Sequence, residues 1–222
     1  EGMGIEKELT CYIFAGAPME FLPLVSPEPG DLILCADGGY RYAKVLGLKP
    51  DYLVGDFDTL PEREIPQDCQ IRRHPIQKDD TDTMLAVKLG LSLGFRRFVM
   101  YGAIGGRLDH TIANVQTLLF LYARGAEGVL IGERNEAMLH PPGRRVYPAR
   151  PDSYFSVFAL TTACKGVCLE GVEYPLQDAE LTADFPLGVS NHITGEQAAV
   201  TLAEGMLLLV FSRDRHQSGG RA

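Results

Sequence analysis

The sequence predicts an α/β N-terminal domain with a parallel sheet, followed by an all-β C-terminal sandwich domain. Short apolar runs closed by glycine or aspartate recur in the first part, as buried parallel strands do. Helical segments alternate with these runs, which indicates right-handed crossovers. Beyond residue 140, short strand signals are separated by Gly, Pro, Asn and Asp, which favours an antiparallel sandwich. We therefore expect domains at 9–139 and 140–213, with a disordered polar tail at 214–222.

Apolar runs give the positions of the expected strands. In the first part these are residues 11–15, 32–36, 52–54, 98–101 and 129–131. In the second part they are residues 154–160, 166–169, 198–202 and 206–211. Because Glu204 and Gly205 separate the last two runs, we expect those two strands to form a β-hairpin.

Two segments between the parallel strands predict helices. The first is capped by Asp80 or Thr81 and ends near Leu93, just before a glycine. The second runs over about residues 108–123 and is amphipathic. Apolar side chains recur along it every three or four residues, so we expect one buried stripe. The stripe consists of Ile112, Val115, Leu119 and Tyr122.

The charge, hydropathy and cysteine content of the chain exclude several classes of function. A formal net charge of -8 argues against nucleic-acid binding, which needs a basic face. No segment approaches the roughly 18 consecutive apolar residues that cross a bilayer, so we expect no membrane partner. The five cysteines are scattered, and Cys164 and Cys168 lack the second pair or nearby histidine of a metal site. We therefore expect free thiols and a cytoplasmic location.

Acidic side chains follow the predicted strands. Asp37 follows the second strand, Asp56 and Asp58 follow the third, and Asp82 lies at the start of a helix. Ligands of open α/β sheets bind at the carboxyl ends of strands. Neighbouring carboxylates repel one another unless a cation lies between them, and Mg²⁺ prefers carboxylate and phosphate oxygens. A lone Asp-x-Asp is more typical of a solvated loop, but the four acids together favour a magnesium site.

Glycines and basic side chains near these acids indicate a phosphate group. Gly38 and Gly39 allow the backbone to approach a ligand and precede a helix N-terminus, where free N–H groups bind anions. Arg107 follows another glycine pair and can clamp a phosphate with its planar fork. Lys78 is unfavourable near the positive end of a helix, and a phosphate would explain it. The P-loop and dinucleotide-binding motifs are both missing from the sequence.

The order and spacing of these motifs resemble those of bacterial thiamine pyrophosphokinases. The matching motifs are Asp37-Gly38-Gly39, Gly55-Asp56-Phe57-Asp58, Lys78-Asp79-Asp80-Thr81-Asp82, Gly105-Gly106-Arg107-Leu108-Asp109-His110 and Gly188-Val189-Ser190-Asn191. The resemblance covers about residues 11–213. It implies a homodimer with active sites at the dimer interface. The implied reaction moves the diphosphate of ATP to the hydroxyethyl oxygen of thiamine, giving thiamine diphosphate and AMP.

The resemblance also implies roles for the motif residues. The implied catalytic acids are Asp37, Asp56, Asp58 and Asp82, and the last three are the implied Mg²⁺ ligands. The implied ATP-binding residues are Gly38, Gly39, Lys78, Thr81, Arg107, Asp109 and His110. The implied thiamine-binding residues are Ser190 and Asn191. A structural role for His110 is an equal alternative, and the general base and the role of His192 stay open.

Three other functions account for part of the sequence. A pyrophosphokinase acting on a pterin alcohol could use the same core, although the motif at 188–191 favours thiamine. A glycosyltransferase could use Asp-x-Asp to hold a metal and a nucleotide sugar, but the motifs at 78–82 and 105–110 would be unexplained. A non-catalytic thiamine-binding protein would be favoured by the loss of an acid, and all the acids are present.

The Asp58→Ala variant is expected to lose turnover and to keep its fold, because a surface metal ligand adds little to the core. Turnover with ATP, thiamine and Mg²⁺ and thermal unfolding would be measured side by side. Asp184→Ala, which removes an acid outside all of the motifs, is the control and should keep normal turnover. Near-normal turnover of a folded Asp58→Ala protein would contradict the metal assignment.

Overall fold

A computed structural model of the chain describes residues 8–55, 69–73 and 80–214, without the side chains of Asp37 and of residues 71–73. The chain divides into two compact units between Glu133 and Arg134. Strands outnumber helices in both units. Within the described ranges, no helix is long and apolar enough to cross a membrane.

The described residues of the first unit form six parallel strands. They are β1 (Thr10–Phe14), β2 (Leu32–Ala36), β3 (Tyr52–Gly55), β4 (Gln70–Arg73), β5 (Arg97–Ile104) and β6 (Glu127–Gly132). Their order is β6-β5-β1-β2-β3-β4, and every pairing is parallel. The predicted parallel sheet is thus confirmed. The edge strand β4 was not predicted, because Gln-Ile-Arg-Arg contains a single apolar residue.

Three helices lie between these strands in the part of the unit that the structure describes. They are α1 (Tyr40–Val45), α2 (Asp82–Ser92) and α3 (Leu108–Tyr122). Tyr42 of α1 packs with Phe14 on one face of the sheet. Gly90 of α2 lies against Phe98 and Cys11, which are on the opposite face because strand side chains alternate. The two longer helices lie close to their predicted positions, whereas the six residues of α1 are too few to give a periodic pattern.

The buried face of α3 is not the one that the sequence predicted. The buried residues are Asn114, Thr117, Leu118 and Leu121. The expected stripe is wrong, because Ile112, Leu119 and Tyr122 are exposed. Polar residues can occupy the inner face because their side chains bond to the backbone. The amide of Asn114 donates to the carbonyl of Ala103 at 2.8 Å, which offsets the cost of its burial.

The second unit is formed by two groups of antiparallel strands. They are β7 (Asn135–His140), β8 (Gly143–Pro148), β9 (Tyr154–Ala159), β10 (Ala163–Glu170), β11 (Leu176–Thr182), β12 (Gly188–Asn191), β13 (Gln197–Leu202) and β14 (Leu207–Ser212). The orders are β12-β9-β14-β7 and β11-β10-β13-β8. Phe155 and Leu209 from the first group share a buried core with Leu169 and Val200 from the second. In its described residues the second unit is therefore all-β and antiparallel, as the sequence predicted.

The last two strands do not form the expected hairpin. β13 pairs with β8 and β10, whereas β14 pairs with β7 and β9. The turn between them therefore carries the chain from one sheet to the other. Gly205 has a φ of 103°, and the backbone N–H of Met206 donates to the hydroxyl of Thr161 at 3.1 Å. This side-chain bond fixes the turn, and nothing in the local sequence distinguishes it from a hairpin turn.

A buried histidine lies at the end of β7. The Nδ1 of His140 is 2.7 Å from the hydroxyl of Tyr147, and its Nε2 is 3.3 Å from the carbonyl oxygen of Gly143. Because a carbonyl can only accept, Nε2 donates to it, and Nδ1 of the neutral ring accepts from the hydroxyl. Burial lowers the pKa of His140 below its ordinary value of 6.5.

Protonation of His140 is expected to destabilise the protein in mild acid. Its pKa is lower in the folded chain than in the unfolded chain, so the unfolded chain binds the proton first as the pH falls below about 6.5. The free energy of unfolding should therefore fall from there down to the folded pKa. Urea denaturation at pH 7.5 and 5.5 should show a smaller loss for His140→Gln than for the exposed control His192→Gln. Equal losses for the two variants would contradict this role.

Candidate active site

A cavity of about 440 Å³ opens at the carboxyl ends of β1, β2 and β5. Its lining residues are Ala15, Gly16, Ala17, Pro18, Ala36, Thr81, Asp82, Thr83, Gly102, Ala103, Gly105, Gly106, Arg107, His110 and Asn114. The chain moves from β1 to β2 on one side and later returns to β5 on the other side of β1. Such a reversal of strand order creates a crevice above the strand ends, where ligands of open α/β sheets bind.

Two glycines, one in the turn after β2 and one near the end of β5, bring neighbouring backbone against the end of β1. A Cβ on Gly39 would lie 1.9 Å from the carbonyl oxygen of Phe14. A Cβ on Gly102, whose φ is 64°, would lie 2.5 Å from the carbonyl oxygen of Ala15. Both positions therefore require glycine for packing. Gly38 differs, because a Cβ there would meet nothing within 4 Å.

Two side chains of α1 hold the segment that follows β1. The hydroxyl of Tyr42 donates to the carbonyl of Ala17 at 2.6 Å and accepts from the N–H of Met19 at 2.9 Å. The guanidinium of Arg41 donates to the carbonyl of Gly16 at 2.9 Å. Neither side chain was predicted from the sequence. The Gly-Ala-Pro segment after the first strand has no side chain that could hold the loop, which indicated that other residues must bond to its backbone.

The first turn of α2 forms another wall of the cavity. The hydroxyl of Thr81 accepts from the N–H of Met84 at 3.1 Å, which confirms one of the two predicted caps. The carboxylate of Asp80 instead bonds to the amine of Lys88, with N–O distances of 2.7 and 2.8 Å. Asp82, one residue into the helix, lines the cavity. An acid in the first turn is favoured by the helix dipole.

Arg107 and Asp109 form a two-bonded ion pair at the start of α3. Nε of Arg107 is 3.1 Å from Oδ1 of Asp109, and Nη2 is 2.5 Å from Oδ2. The hydrogen bonds from the guanidinium lower the pKa of Asp109, and the carboxylate raises the pKa of Arg107. Both side chains are exposed, with 74% and 61% of their surface accessible. A planar guanidinium fork, suited to phosphate, therefore stands at the edge of the cavity.

The glycine loop before this pair is anchored to α3. Gly105 and Gly106 have φ values of 120° and 65°, which side chains rarely adopt. The N–H of Gly105 donates to the hydroxyl of Thr111 at 3.2 Å. The backbone N–H of His110 donates to a carboxylate oxygen of Asp109 at 3.0 Å, and its exposed ring reaches the cavity. Asn114 also lines the cavity; a polar residue in the middle of an apolar helix was the signal for it.

Several predicted site residues are not among those that the structure describes. Asp56, Asp58 and Lys78 lie outside the described residues, although β3 ends at Gly55, directly before the first of them. Asp37 begins a 3₁₀ turn that follows β2, and its side chain is not described. In the described part of the chain, no three His, Cys, Asp or Glu side chains form a metal-binding group. The carboxylate oxygens of Asp82 suit Mg²⁺ chemically, and the full ligand set stays a prediction.

The predicted thiamine-binding residues lie on β12 in the second unit. The amide of Asn191 is buried; its oxygen accepts from the N–H groups of Tyr174 and His192, and its nitrogen donates to the carbonyl of Tyr174 at 2.8 Å. Ser190 is exposed, with a φ of 60°, and its N–H donates to the hydroxyl of Ser156 at 3.0 Å. Asn191 thus fixes the neighbouring segment, and Ser190 is exposed beside it.

His192 takes part in a small group of exposed side chains. Its Nδ1 lies 3.0 Å from a carboxylate oxygen of Glu173, and its ring centroid is 4.8 Å from that of Tyr154. Both partners lie in the second unit. These contacts give the ring a fixed position, and its chemical role stays open.

The fold and the cavity define a protein with an α/β ligand-binding unit and an all-β unit. Residues 28–130 match the family described as "Thiamin pyrophosphokinase, catalytic domain". Residues 145–207 match the family described as "Thiamin pyrophosphokinase, vitamin B1 binding domain". The two regions cover most of the chain. The chain therefore belongs to the thiamin pyrophosphokinase family, which is a family of enzymes.

Individual relatives agree with this assignment. The chain is 27% identical to a thiamine pyrophosphokinase of Bacillus subtilis over 92% of the chain and 99% of the relative. The crystal structure of the Bacillus subtilis protein has a TM-score of 0.84, at 25% identity over 92% of this chain and 99% of that one. A structure from Geobacillus thermodenitrificans has a TM-score of 0.82, at 26% identity over 94% and 99%. The resemblance seen in the sequence is confirmed.

Gly39→Ala is expected to destabilise the protein by about 3 kcal/mol or more, because a methyl group would overlap the carbonyl of Phe14 and force backbone shifts. Gly38→Ala is the matched control, with an expected change within about 0.5 kcal/mol. Chemical denaturation of both variants measures the difference. Similar stability of the two variants would contradict the close approach of the Gly39 turn to β1.

Proposed function

We propose that this chain transfers the diphosphate group of ATP to the hydroxyethyl oxygen of thiamine, which gives thiamine diphosphate and AMP. The observation that carries the proposal is the presence of both family regions, catalytic and vitamin B1-binding, on one chain. The name of the Bacillus subtilis relative, which matches over 92% of the chain, supports the same reaction. The family match gives no support to a pterin alcohol, a nucleotide sugar or a non-catalytic role.

The proposed chemistry is a displacement at phosphorus. The thiamine oxygen attacks the β-phosphorus of ATP, a new O–P bond forms, and the bond from that phosphorus to the α,β-bridging oxygen breaks. AMP leaves with that oxygen, and the hydroxyl proton is released. In such transfers the protein contributes mainly by positioning the reactants and neutralising charge. A late proton transfer would not require a strong general base.

In this proposal ATP binds in the cavity of the first unit. The residues that line this cavity all lie within the predicted domain 9–139. Arg107 supports this placement because its guanidinium stands at the cavity edge with an exposed carboxylate as its partner. A phosphate can replace the carboxylate of Asp109 on the same guanidinium, since each presents two oxygens that can accept its N–H groups. The remaining proposed ATP contacts are Gly38, Gly39, Lys78, Thr81 and His110.

Mg²⁺ is the proposed metal. Asp82 lines the cavity, and Asp56 and Asp58 follow β3, so these three acids are the proposed ligands. Asp37 is proposed to hold the metal–phosphate cluster or the substrate. When bound, Mg²⁺ would neutralise charge on the phosphate oxygens. The residues of the chain would then orient the phosphates and hold the thiamine oxygen in line.

Thiamine is proposed to bind to the second unit, domain 140–213 of the sequence prediction, through Ser190 and Asn191. Both residues fall within the region 145–207 that matches the vitamin B1-binding domain. The exposure of Ser190 supports a contact with the ligand, whereas Asn191 would act by fixing the loop. We further propose a cytoplasmic homodimer with active sites at the dimer interface. The unpaired state of all five cysteines is compatible with a reducing compartment.

The proposed reaction predicts equimolar thiamine diphosphate and AMP when the purified protein is incubated with thiamine, ATP and Mg²⁺. Products would be separated and identified by mass. Reactions without thiamine and reactions with excess chelator are the controls, and both should form no AMP. Formation of ADP with thiamine monophosphate would contradict diphosphate transfer. Bound thiamine without any turnover would favour the non-catalytic alternative, and AMP formed only with a pterin alcohol would favour that substrate.

A further inference from the structure

The segment that leaves β1 offers only main-chain polar groups to the cavity. Gly16, Ala17 and Pro18 all line the cavity, and none of the three has a polar side chain. The N–H of Ala17 donates to the carbonyl of Gly102 at 2.9 Å, and proline has no N–H. The polar groups that a ligand could meet here are therefore few, and each of them can be accounted for.

The hydroxyl of Tyr42 is the centre of the contacts that hold this segment. It donates to the carbonyl of Ala17 at 2.6 Å and accepts from the N–H of Met19 at 2.9 Å and from Nη2 of Arg41 at 2.8 Å. One donated and two accepted bonds are the full capacity of a hydroxyl group. The buried Tyr42 therefore has no capacity left for a ligand and acts on the backbone instead.

The two main-chain polar groups of Gly16 differ in their contacts. Its carbonyl oxygen accepts from Nη2 of Arg41 at 2.9 Å, whereas its N–H has no hydrogen-bond partner among the residues that the structure describes. Gly16 is exposed, and a Cβ placed on it would meet nothing within 4 Å. Because glycine has only main-chain atoms, this N–H is the polar group that Gly16 can offer to a ligand in the cavity.

We propose that the N–H of Gly16 donates a hydrogen bond to a phosphate oxygen of the bound nucleotide, and that Tyr42 and Arg41 are positioning residues for this donor. This role rests on the proposed function, because ATP is taken as the ligand of the cavity. Phosphates are commonly bound by main-chain amides of glycine at the carboxyl end of a parallel strand, where no side chain keeps the anion away. The positive charge of the nearby Arg41 adds an attraction for an anion.

Hydrogen bonds on both sides of Gly16 fix the position of the donor. On one side, the N–H of Ala15 donates to the carbonyl of Tyr101 at 2.7 Å. On the other side, the hydroxyl of Tyr42 holds the carbonyl of Ala17. A donor that is in place before the ligand arrives loses little freedom when the ligand binds. Without the hydroxyl, one side of the segment would lose its support and the donor would no longer be fixed.

Equilibrium binding of two ligands tests the proposal. Calorimetry with Mg²⁺ and without thiamine would measure the dissociation constants of ATP and of inorganic triphosphate, which has no nucleoside. Tyr42→Phe should raise both constants by about tenfold or more, the usual effect of losing a hydrogen bond to a charged acceptor. Tyr147→Phe is the matched control, because it also removes a buried, hydrogen-bonded hydroxyl, but from the second unit. It should leave both constants unchanged.

Gly16→Ala tests the donor without removing the contacts of Tyr42. The added methyl group has open space in the ligand-free protein, so thermal unfolding should change little. Both dissociation constants should rise by about tenfold, because the methyl group takes up space beside the N–H that a phosphate oxygen must approach. Gly195→Ala is the matched control, since a Cβ there also meets nothing within 4 Å. It should change neither stability nor binding.

Unchanged dissociation constants in a folded Tyr42→Phe or Gly16→Ala protein would overturn the proposal. A loss of affinity for ATP but not for inorganic triphosphate would overturn the phosphate contact. If Tyr42→Phe does not fold, Gly16→Ala decides. Because none of these measurements uses turnover, the expected losses in a protein that makes no thiamine diphosphate would uphold this inference and refute only the proposed reaction. Failure of ATP to bind the unmodified protein would refute both.

Discussion

The close approach of two backbone segments to the end of β1 is the constraint on which the site depends. Gly39 and Gly102 lie against the carbonyls of the strand between them, and no side chain fits at either position. The turn after β2 and the last part of β5 therefore converge on one strand end, at the point where the strand order reverses. Tyr42 then holds the loop that leaves β1. The end of this strand is thus where that loop, the turn after β2 and the last part of β5 meet.

Buried polar side chains fix the remaining loops in both units. Asn114 ties α3 to the end of β5, and Asn191 ties the segment at Tyr174 to β12. Each amide is buried and bonded to backbone, which makes the loop position costly to change. In the described residues, no buried side-chain nitrogen or oxygen lacks a hydrogen-bond partner. These amides act as structural clamps, whereas exposed groups such as Arg107 and Ser190 are available to ligands.

The sequence predicted features that depend on local patterns and missed those that depend on distant contacts. Buried parallel strands appear as apolar runs, and the Thr81 cap follows from a hydroxyl before a helix; both were predicted. The polar edge strand β4 and the short helix α1 have no such pattern. The buried face of α3 was assigned wrongly because a heptad strip and a core stripe share their spacing over one helix. The hairpin was wrong because the hydroxyl of Thr161, over forty residues upstream, fixes the turn at Met206. The motifs predicted which part of the chain forms the site. The supporting roles of Tyr42 and Asn114 depend on hydrogen bonds to distant backbone groups, so they were found only in the structure.

The exposure of the Arg107–Asp109 pair has a consequence for how the site responds to its solution. An ion pair with both partners in contact with water adds little to stability, and dissolved salt screens it further. Arg107 can therefore exchange its carboxylate for the phosphate of a ligand at little cost in free energy. The same screening weakens its hold on an incoming anion. Raising the ionic strength thus weakens both the Arg107–Asp109 ion pair and the contact between Arg107 and a bound anion. The guanidinium can exchange one acidic partner for the other as the solution changes.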